Sequence, residues 1–420
     1  MIVGILGGLA LQASGAEQST VEAVVRFVKP VGDIFLRMIF MMVIPLIVSA
    51  LALGVVELGD LRRIGRIGLR TLFFTLIISA VSVVIGITMV SVFRPGDAIT
   101  AEDRALLLER FSGSSADVQR TAGIASRSIG DILSTIVPKN PIEDMARAFD
   151  PTYTGGGLLA VMFFTLMIGV ALSTLEPEKV KTFRHFLEGL YEVVMKVIGF
   201  GMKLAPFGVA SLLFTLTATM GFSVLQVVLG YVLVVLGALA LHLFGTYSLL
   251  IRLFGKMSPL VFFRSIREVM VTAFSTSSSN ATLPVAIRVT IENLKLPKDI
   301  THFVLTIGST ANQNGTALYE GVTVLFLAQV FGVHLDLSQQ ILVVVLCILG
   351  GVGTAGVPGG SLPVIMLILL SVGVPGEGIA IIYGVDRILD MCRTVLNVTG
   401  DIAAAVYVSR VERGAVPAGQ

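Results

Sequence analysis

The chain has 420 residues, 55% of them hydrophobic and only 14% charged, with a mean hydropathy of +0.91. A soluble domain carries about 25% charged residues, so a deficit spread over the whole length excludes a soluble enzyme on one anchor helix, a disordered chain and a coiled coil. Thirty Lys and Arg against twenty-eight Asp and Glu leave a net charge of +2, with no basic run to suit nucleic acid. What remains is an all-α polytopic membrane protein.

Taken in chain order, apolar stretches long enough for a helix across the hydrocarbon, roughly 20 residues, fall at 1–14, 31–56, 69–93, 155–175, 186–218, 222–251, 300–331 and 377–409. The first is short for a crossing, so the start is expected to be frayed or to fall inside a helix. It has no basic n-region or A-x-A site, so it does not read as a signal peptide. Two further apolar stretches, 258–291 and 338–372, are broken by Gly, Ser and Pro. Between Arg94 and Tyr153 the chain is polar, and reads as an exposed outer loop with an amphipathic piece near Ile129–Ala148. Cys347 and Cys392 both sit in apolar segments, and His185, His242, His302 and His334 have no metal spacing.

Orientation follows from the Lys and Arg of short loops. Arg62, Arg63, Arg66 and Arg70 follow the second span; Lys179, Lys181 and Arg184 precede the fifth; Arg252, Lys256, Arg264 and Arg267 follow the sixth; Arg410 and Arg413 end the chain. Loops 219–223 and 332–337 have no Lys or Arg. The basic loops all face the cytoplasm, with both termini, if 258–291 and 338–372 each enter and leave on one side. The first then re-enters from the cytoplasm and the second from outside.

These two stretches resemble each other. One carries Ser275-Thr276-Ser277-Ser278-Ser279-Asn280-Ala281-Thr282-Leu283-Pro284, the other Gly353-Thr354-Ala355-Gly356-Val357-Pro358-Gly359-Gly360-Ser361-Leu362-Pro363. Irregular backbone at membrane depth survives only inside protein or beside a wet cavity. Two such interruptions entering from opposite faces are the mark of an inverted-repeat transporter with its site between them. The alternative, a Gly/Ser linker, does not explain the apolar runs that frame them. Span 300–331 contains Gly308-Ser309-Thr310-Ala311-Asn312-Gln313-Asn314-Gly315-Thr316, expected to unwind locally and offer oxygens to a hard cation such as Na⁺. In the last span Asp386, Asp390, Arg393, Asn397 and Asp401 fall within a stripe of about 80°. Ionisable groups in a membrane face a partner, a ligand or a water path. Arg393 can fork onto a carboxylate and Asp390 can hold an ammonium, which suits an acidic amino acid. The competing reading is an internal Asp390–Arg393 ion pair.

With these motifs the chain resembles the dicarboxylate/amino acid:cation symporter family, which includes an archaeal aspartate transporter and the human glutamate and neutral amino acid transporters. The likeness runs from Val28-Lys29-Pro30-Val31-Gly32-Asp33 through Ile136-Val137-Pro138-Lys139-Asn140-Pro141 to Asp401. It implies eight transmembrane helices plus two re-entrant helical hairpins in a homotrimer, with elevator-type movement. Residues 1–68 and 154–221 would form the scaffold, 94–153 an extracellular loop, and 69–93 with 222–413 the transport domain. It further implies that Arg393 binds the substrate side-chain carboxylate and Asp390 its α-amino group. Asn397, Thr316, Thr394, Ser277, Ser278, Ser279, Val357 and Gly359 would surround the α-carboxylate. One sodium would lie at Gly308, Asn312, Asn397 and Asp401, and another at Thr310 with the carbonyls of Gly351, Val352 and Thr354. No cofactor is implied beyond the transported Na⁺ and/or H⁺, and no enzyme activity.

Two departures bear on coupling. The family's Asn-Met-Asp-Gly-Thr reads Asn312-Gln313-Asn314-Gly315-Thr316 here, and Ile78 stands where the family's third sodium site has a Thr. Both losses fall on one site, so that site is expected to be absent. Glu320 matches the proton-carrying Glu of the mammalian glutamate transporters; a Glu in a membrane helix can load and release a proton, unless it reaches water or an Arg at the outer half. A C4-dicarboxylate symporter and a Na⁺-coupled neutral amino acid transporter are the nearest alternatives, although the latter has no Arg at 393. A serine protease lacks its base near Ser275–Ser279, and a channel would need rings of like charge or carbonyls.

Overall fold

The computed structural model describes residues 2–56, 66–111, 137–148, 153, 157–353 and 361–415. Every regular element among them is helical, as hydrocarbon requires of a chain that must satisfy each backbone group within its own segment. Among the described residues four helical stretches are long and apolar enough to cross a membrane: Ser19–Val56, Ile67–Ala98, Lys203–Met220 and Ser223–Leu253. Shorter apolar helices lie at Ile2–Ala13, Ala160–Thr174 and Leu337–Gly351. The protein is an integral membrane protein, and apolar side chains such as Leu69, Phe73, Ile77 and Val84 cover its outside.

The first half packs around one long helix. Helices α1 (Ile2–Ala13) and α2 (Gln18–Phe40) both lie along α8 (Pro177–Met220). Close approach is possible because Gly4 and Gly8 face backbone: a Cβ on either would collide with the main chain of Ala210 or of Phe214 and Ala218. Gly32 meets Ser211, whose hydroxyl accepts from the Gly32 N–H at 3.2 Å and donates to the Val28 carbonyl at 2.7 Å. The second span begins earlier than hydropathy indicates, at Gln18 rather than 31. Its first turns are amphipathic, with Glu22, Arg26 and Lys29, and escape an average over apolar residues. It continues as α3 (Val43–Leu46) and a π turn at Ile47–Leu51.

Helix α4 (Arg66–Phe93) is next, then a short 3-10 turn at Pro95–Ala98, α5 (Ala101–Phe111), α6 (Pro141–Ala146) and α7 (Gly157–Thr174). Asn140 caps α6 by accepting from the N–H groups of Ile142 and Glu143; the rest of the amphipathic stretch foreseen before Val137 lies outside the described residues. The basic segment 176–184 is helical rather than a loop. Pro177 opens α8, where its missing N–H is harmless, and Arg184–Glu188 at 3.1 Å supports the first turns.

The second half is built of broken helices. α9 (Ser223–Ala240) runs through a π turn at Leu241–Thr246 into α10 (Tyr247–Leu253), and α11 (Pro259–Ser265) precedes α12 (Arg267–Thr276). Ser277 turns the chain with φ of 51°, and α13 (Ser279–Glu292) packs back against α12. α14 (Lys298–Ala311) stops at Asn312, and α15 (Asn314–Phe331) resumes after Gln313. α16 (Leu337–Gly353) and α17 (Leu362–Ser371) flank residues 354–360, which lie outside the described residues. α18 (Ala380–Ala415) closes the chain and touches α9, α12, α14 and α15. α15 is buried along nearly its whole length, with Gly86 of α4 against the Leu318 backbone.

The helix contacts of the first half yield a direct test. Gly8→Val should separate α1 from α8 and cost about 1–3 kcal/mol by overpacking, read as a lower thermal midpoint in detergent. Gly189→Ala, in open space inside α8, should instead hold or raise that midpoint, since a mid-helix glycine costs about 0.5–1 kcal/mol relative to alanine.

Candidate functional site

Breaking a helix inside a membrane frees backbone groups that must find partners. At the α14–α15 break they find them on α18. The Gly315 N–H donates to Asn397 Oδ1 at 2.7 Å. Asn397 Nδ2 donates to Gln313 Oε1 at 2.6 Å and to Thr316 Oγ1 at 3.2 Å, and Gln313 Nε2 closes onto the Ser309 carbonyl at 2.9 Å. A Cβ at 315 would stand 2.6 Å from the Arg393 carbonyl, so only glycine lets α15 approach α18 this closely. Asn397 and Thr316 are thus brought together. Gln313, which reads from sequence only as a departure from a motif, lies between them.

One turn further along α18, Asp401 is buried, with Asn312 Nδ2 donating to its Oδ1 at 2.9 Å. Gly308 lies against the same carboxylate: a Cβ there would collide with it. Asn312 Oδ1 is buried and has no hydrogen-bond partner among the described residues. Among those residues no three His, Cys, Asp or Glu side chains group as for a resident metal. The donor set is instead one carboxylate with neutral oxygens, which fits a hard cation carried as cargo. Gly308, Asn312 and Asp401 therefore converge, with Asn397 one turn back along α18 and bonded to Gln313, Gly315 and Thr316 instead. Of the other foreseen cation group, Gly351 lies against Gln313 and Ala317. Thr310 and Val352 are described by backbone only, and Thr354 lies outside the described residues.

In the other direction along α18 lies the charge cluster. Arg393 Nε donates to Asp390 Oδ1 at 2.8 Å, and its terminal nitrogen stands 3.6 Å from Asp386 Oδ1. The internal ion pair, the competing reading of the stripe, is therefore present. Its valences are not exhausted: one terminal nitrogen of Arg393 and Asp390 Oδ2 are buried without a hydrogen-bond partner among the described residues. The Tyr319 ring lies under the guanidinium at 4.4 Å, and its hydroxyl donates to Asp386 at 2.8 Å. Arg393 is not alone on the stripe, because half-exposed Arg387 reaches Asp390 Oδ2 at 3.8 Å. Thr394 turns inward along the helix, donating to the Asp390 carbonyl at 2.8 Å. Sequence reasoning places Asp386 on the stripe without giving it a role, and it misses Tyr319 because a tyrosine in an apolar run carries no local signature.

Ser277, Ser278 and Ser279 form the turn between α12 and α13, and α12 lies along α18. Ser278 Oγ accepts from the Ala281 N–H at 3.2 Å and caps α13. Ser277 Oγ is buried without a hydrogen-bond partner among the described residues. Val357 and Gly359 lie outside the described residues. Glu320 does not reach water: it is fully buried on α15, facing Gly350 of α16 with Cys347 beside it. Ile78 is buried too, while its neighbour Ser79 reaches Asn314.

Helices broken at membrane depth around a buried set of opposite charges define a membrane-embedded solute-binding protein. The sodium:dicarboxylate symporter family model matches residues 1–411, and the chain belongs to that family. It is 34% identical over 412 residues to a proton/sodium-glutamate symport protein of Geobacillus stearothermophilus, covering 98% of this chain and 92% of that one. To a proton/glutamate-aspartate symporter of Escherichia coli (strain K12) it is 34% identical over 414 residues, 98% and 91% of the two chains. To a C4-dicarboxylate transport protein of Anaeromyxobacter sp. (strain K) it is 29% identical over 413 residues, 98% and 88%.

Tyr319→Phe removes the hydroxyl that holds Asp386 but keeps the ring under Arg393. It should cost about 1 kcal/mol of stability, whereas Tyr319→Ala, which also opens a cavity, should cost about 3–5 kcal/mol; matched thermal melts separate the two.

Proposed function

We propose that the protein is a secondary active symporter for acidic amino acids, glutamate or aspartate, driven by H⁺ and/or Na⁺ across the cell membrane with both termini cytoplasmic. The observation that carries this reading is the buried Arg393 whose terminal nitrogen retains bonding capacity one turn from Asp390. In use, Arg393 forks onto the substrate side-chain carboxylate and Asp390 takes the α-amino group, their mutual bond being exchanged for bonds to substrate. Asn397, Thr316 and Thr394, with Ser277–Ser279 and the backbone at Val357 and Gly359, surround the α-carboxylate. Sodium is carried at Gly308, Asn312, Asn397 and Asp401, and at Thr310 with the carbonyls of Gly351, Val352 and Thr354. The relatives named for glutamate and aspartate support this substrate class. The C4-dicarboxylate relative supports a second reading, in which Asp390 has no ammonium to hold.

The working cycle is an elevator, with 1–68 and 154–221 as scaffold and 69–93 with 222–413 as the moving body. Support comes from packing: α1 and α2 lie along α8, while α4 lies along α15 in the other group. A homotrimer is supported by α8, where Phe186, Val193, Phe200 and Phe207 recur every seven residues and are all exposed, the spacing of a helix seam between copies. Coupling uses Glu320 for a proton. Asn314 and Ile78 remove the charge and the hydroxyl of a third sodium site.

Four measurements test this reading. Arg393→Cys should abolish acidic amino acid uptake, because losing a buried charged partner costs ~3–5 kcal/mol; aspartate bound within a few fold of wild type sinks the assignment. Succinate taken up as well as aspartate by the unmodified protein would favour the second reading. Light scattering of the protein in mild detergent and lipid should give the mass of three copies, and a single-chain mass would count against the scaffold. Glu320→Gln should spare exchange of internal for external substrate while net uptake driven by a pH gradient falls steeply; survival of that net uptake places the proton elsewhere.

A further inference from the structure

We propose that Ser79, Ser82, Tyr247 and Asn314 form a neutral hydrogen-bonded plug that fixes the start of α15 in place of a carried cation, with Tyr247 as the positioning residue that makes an amide the fitting side chain at 314. The inference deepens the symporter reading and rests on it.

Three helices, α4, α10 and α18, converge on Asn314, which is fully buried. From α4, the Ser79 hydroxyl donates to Asn314 Oδ1 at 2.6 Å, and the Ser82 hydroxyl shares its proton between the Ser79 carbonyl at 2.8 Å and the Asn314 carbonyl at 3.0 Å. Asn314 Nδ2 donates to the Tyr247 hydroxyl at 3.2 Å, and that hydroxyl donates to the Leu396 carbonyl of α18 at 3.3 Å. The chain of donors runs one way, from Ser79 to Leu396. Because the Tyr247 proton goes to Leu396, its oxygen turns a lone pair toward position 314, and only a donor fits there.

Two features hold Tyr247 in that attitude. It comes directly after the π turn at Leu241–Thr246, and the extra residue of such a turn rotates the succeeding helix by about 100°. Its ring is met edge-on by His242, with centroids 4.8 Å apart and planes at 68°. The cluster is filled by protein atoms: a Cβ at Gly400 would stand 2.5 Å from the Tyr247 oxygen and 3.1 Å from Asn314 Nδ2.

A carboxylate at 314 would face the tyrosine lone pair or turn its proton away from Leu396, and would bury an uncompensated charge. Replacing that one NH₂ by O⁻ also turns the cluster into an all-oxygen set with a negative charge, the composition hard cations take. Plug and cation site therefore differ by one group.

The test uses the full-length protein, with aspartate Kd measured across a range of Na⁺ concentrations at fixed pH. Asn314→Asp should steepen the dependence of log Kd on log Na⁺ by about one ion relative to wild type. Tyr247→Phe should weaken aspartate binding roughly 5- to 10-fold at every Na⁺ concentration, the scale of one buried hydrogen bond, with the slope unchanged. An unchanged slope in Asn314→Asp, with or without a new pH dependence, overturns the proposal. So does a shallower slope in Tyr247→Phe, which would make the hydroxyl a cation ligand, or wild-type affinity in that variant. If Asn314→Asp does not fold, the Tyr247→Phe slope decides alone. Failure of the wild-type protein to bind aspartate at all would instead strike the symporter reading.

Discussion

The interruption of one helix at Asn312 and Gln313 is the constraint on which the rest of the structure depends. In water such a break is cheap, because solvent takes up the freed N–H and C=O groups. Inside a membrane it is tolerated only if protein supplies every partner. The chain supplies backbone partners from α18, through Asn397 to the Gly315 N–H, and from α4, through Ser82 to the Asn314 carbonyl, while Asp401 and Ser79 bond the side chains of Asn312 and Asn314 beside them. Three helices are thereby committed to one another at a single depth. The glycines at 308, 315 and 400 result from that commitment, because each is where a side chain would stand in the way of a polar partner.

The same junction explains how charge is distributed along α18. Asp386 and Asp390 share Arg393, with Tyr319 beneath its guanidinium and Arg387 approaching from the half-exposed side. Asp401, two to three turns away, has only the Asn312 amide bonded to its carboxylate among the described residues. One end of the stripe is thus balanced by the protein itself and the other is left in excess of negative charge. A carboxylate in low dielectric is costly unless something positive accompanies it. In the symporter we propose, this imbalance would give the two ends different tasks: one would exchange an internal ion pair for a zwitterionic solute, and the other would attract a small cation.

Much of this is legible in the sequence where the signal is chemical density. Nine residues from Gly308 to Thr316 hold two Asn, a Gln and two Thr, which no apolar helix accommodates unbroken, and the break falls inside them. The stripe from Asp386 to Asp401 is visible because helical spacing places those residues on one face. Polar chemistry carried by residues that look apolar or ordinary in context escapes such reading. Tyr247 and Tyr319 sit in hydrophobic runs, and their hydroxyl partners come from helices far away in the chain. Ser79 and Ser82 are two small residues in a long apolar span. Amphipathic extensions escape too, since the first turns of α2 and of α8 carry charges that lower any hydropathy average while supporting the helix by i, i+4 pairs and a proline start.

Helix α8 reaches well beyond the bilayer. Its 44 residues rise about 1.5 Å each, roughly 66 Å in all, against a hydrocarbon thickness of about 30 Å. No tilt in the ordinary range hides such a length. The turns from Pro177 to Glu192, rich in Lys and Glu, therefore stand in the aqueous phase as a rigid mast, continuous with the buried part that receives α1 and α2. The helix is interrupted as a rod only at Pro206, whose missing N–H removes one hydrogen bond, just before the stretch that packs against Gly4 and Gly8. A bend at that proline would let the aqueous turns tilt without disturbing the packing of α1 and α2 beyond it.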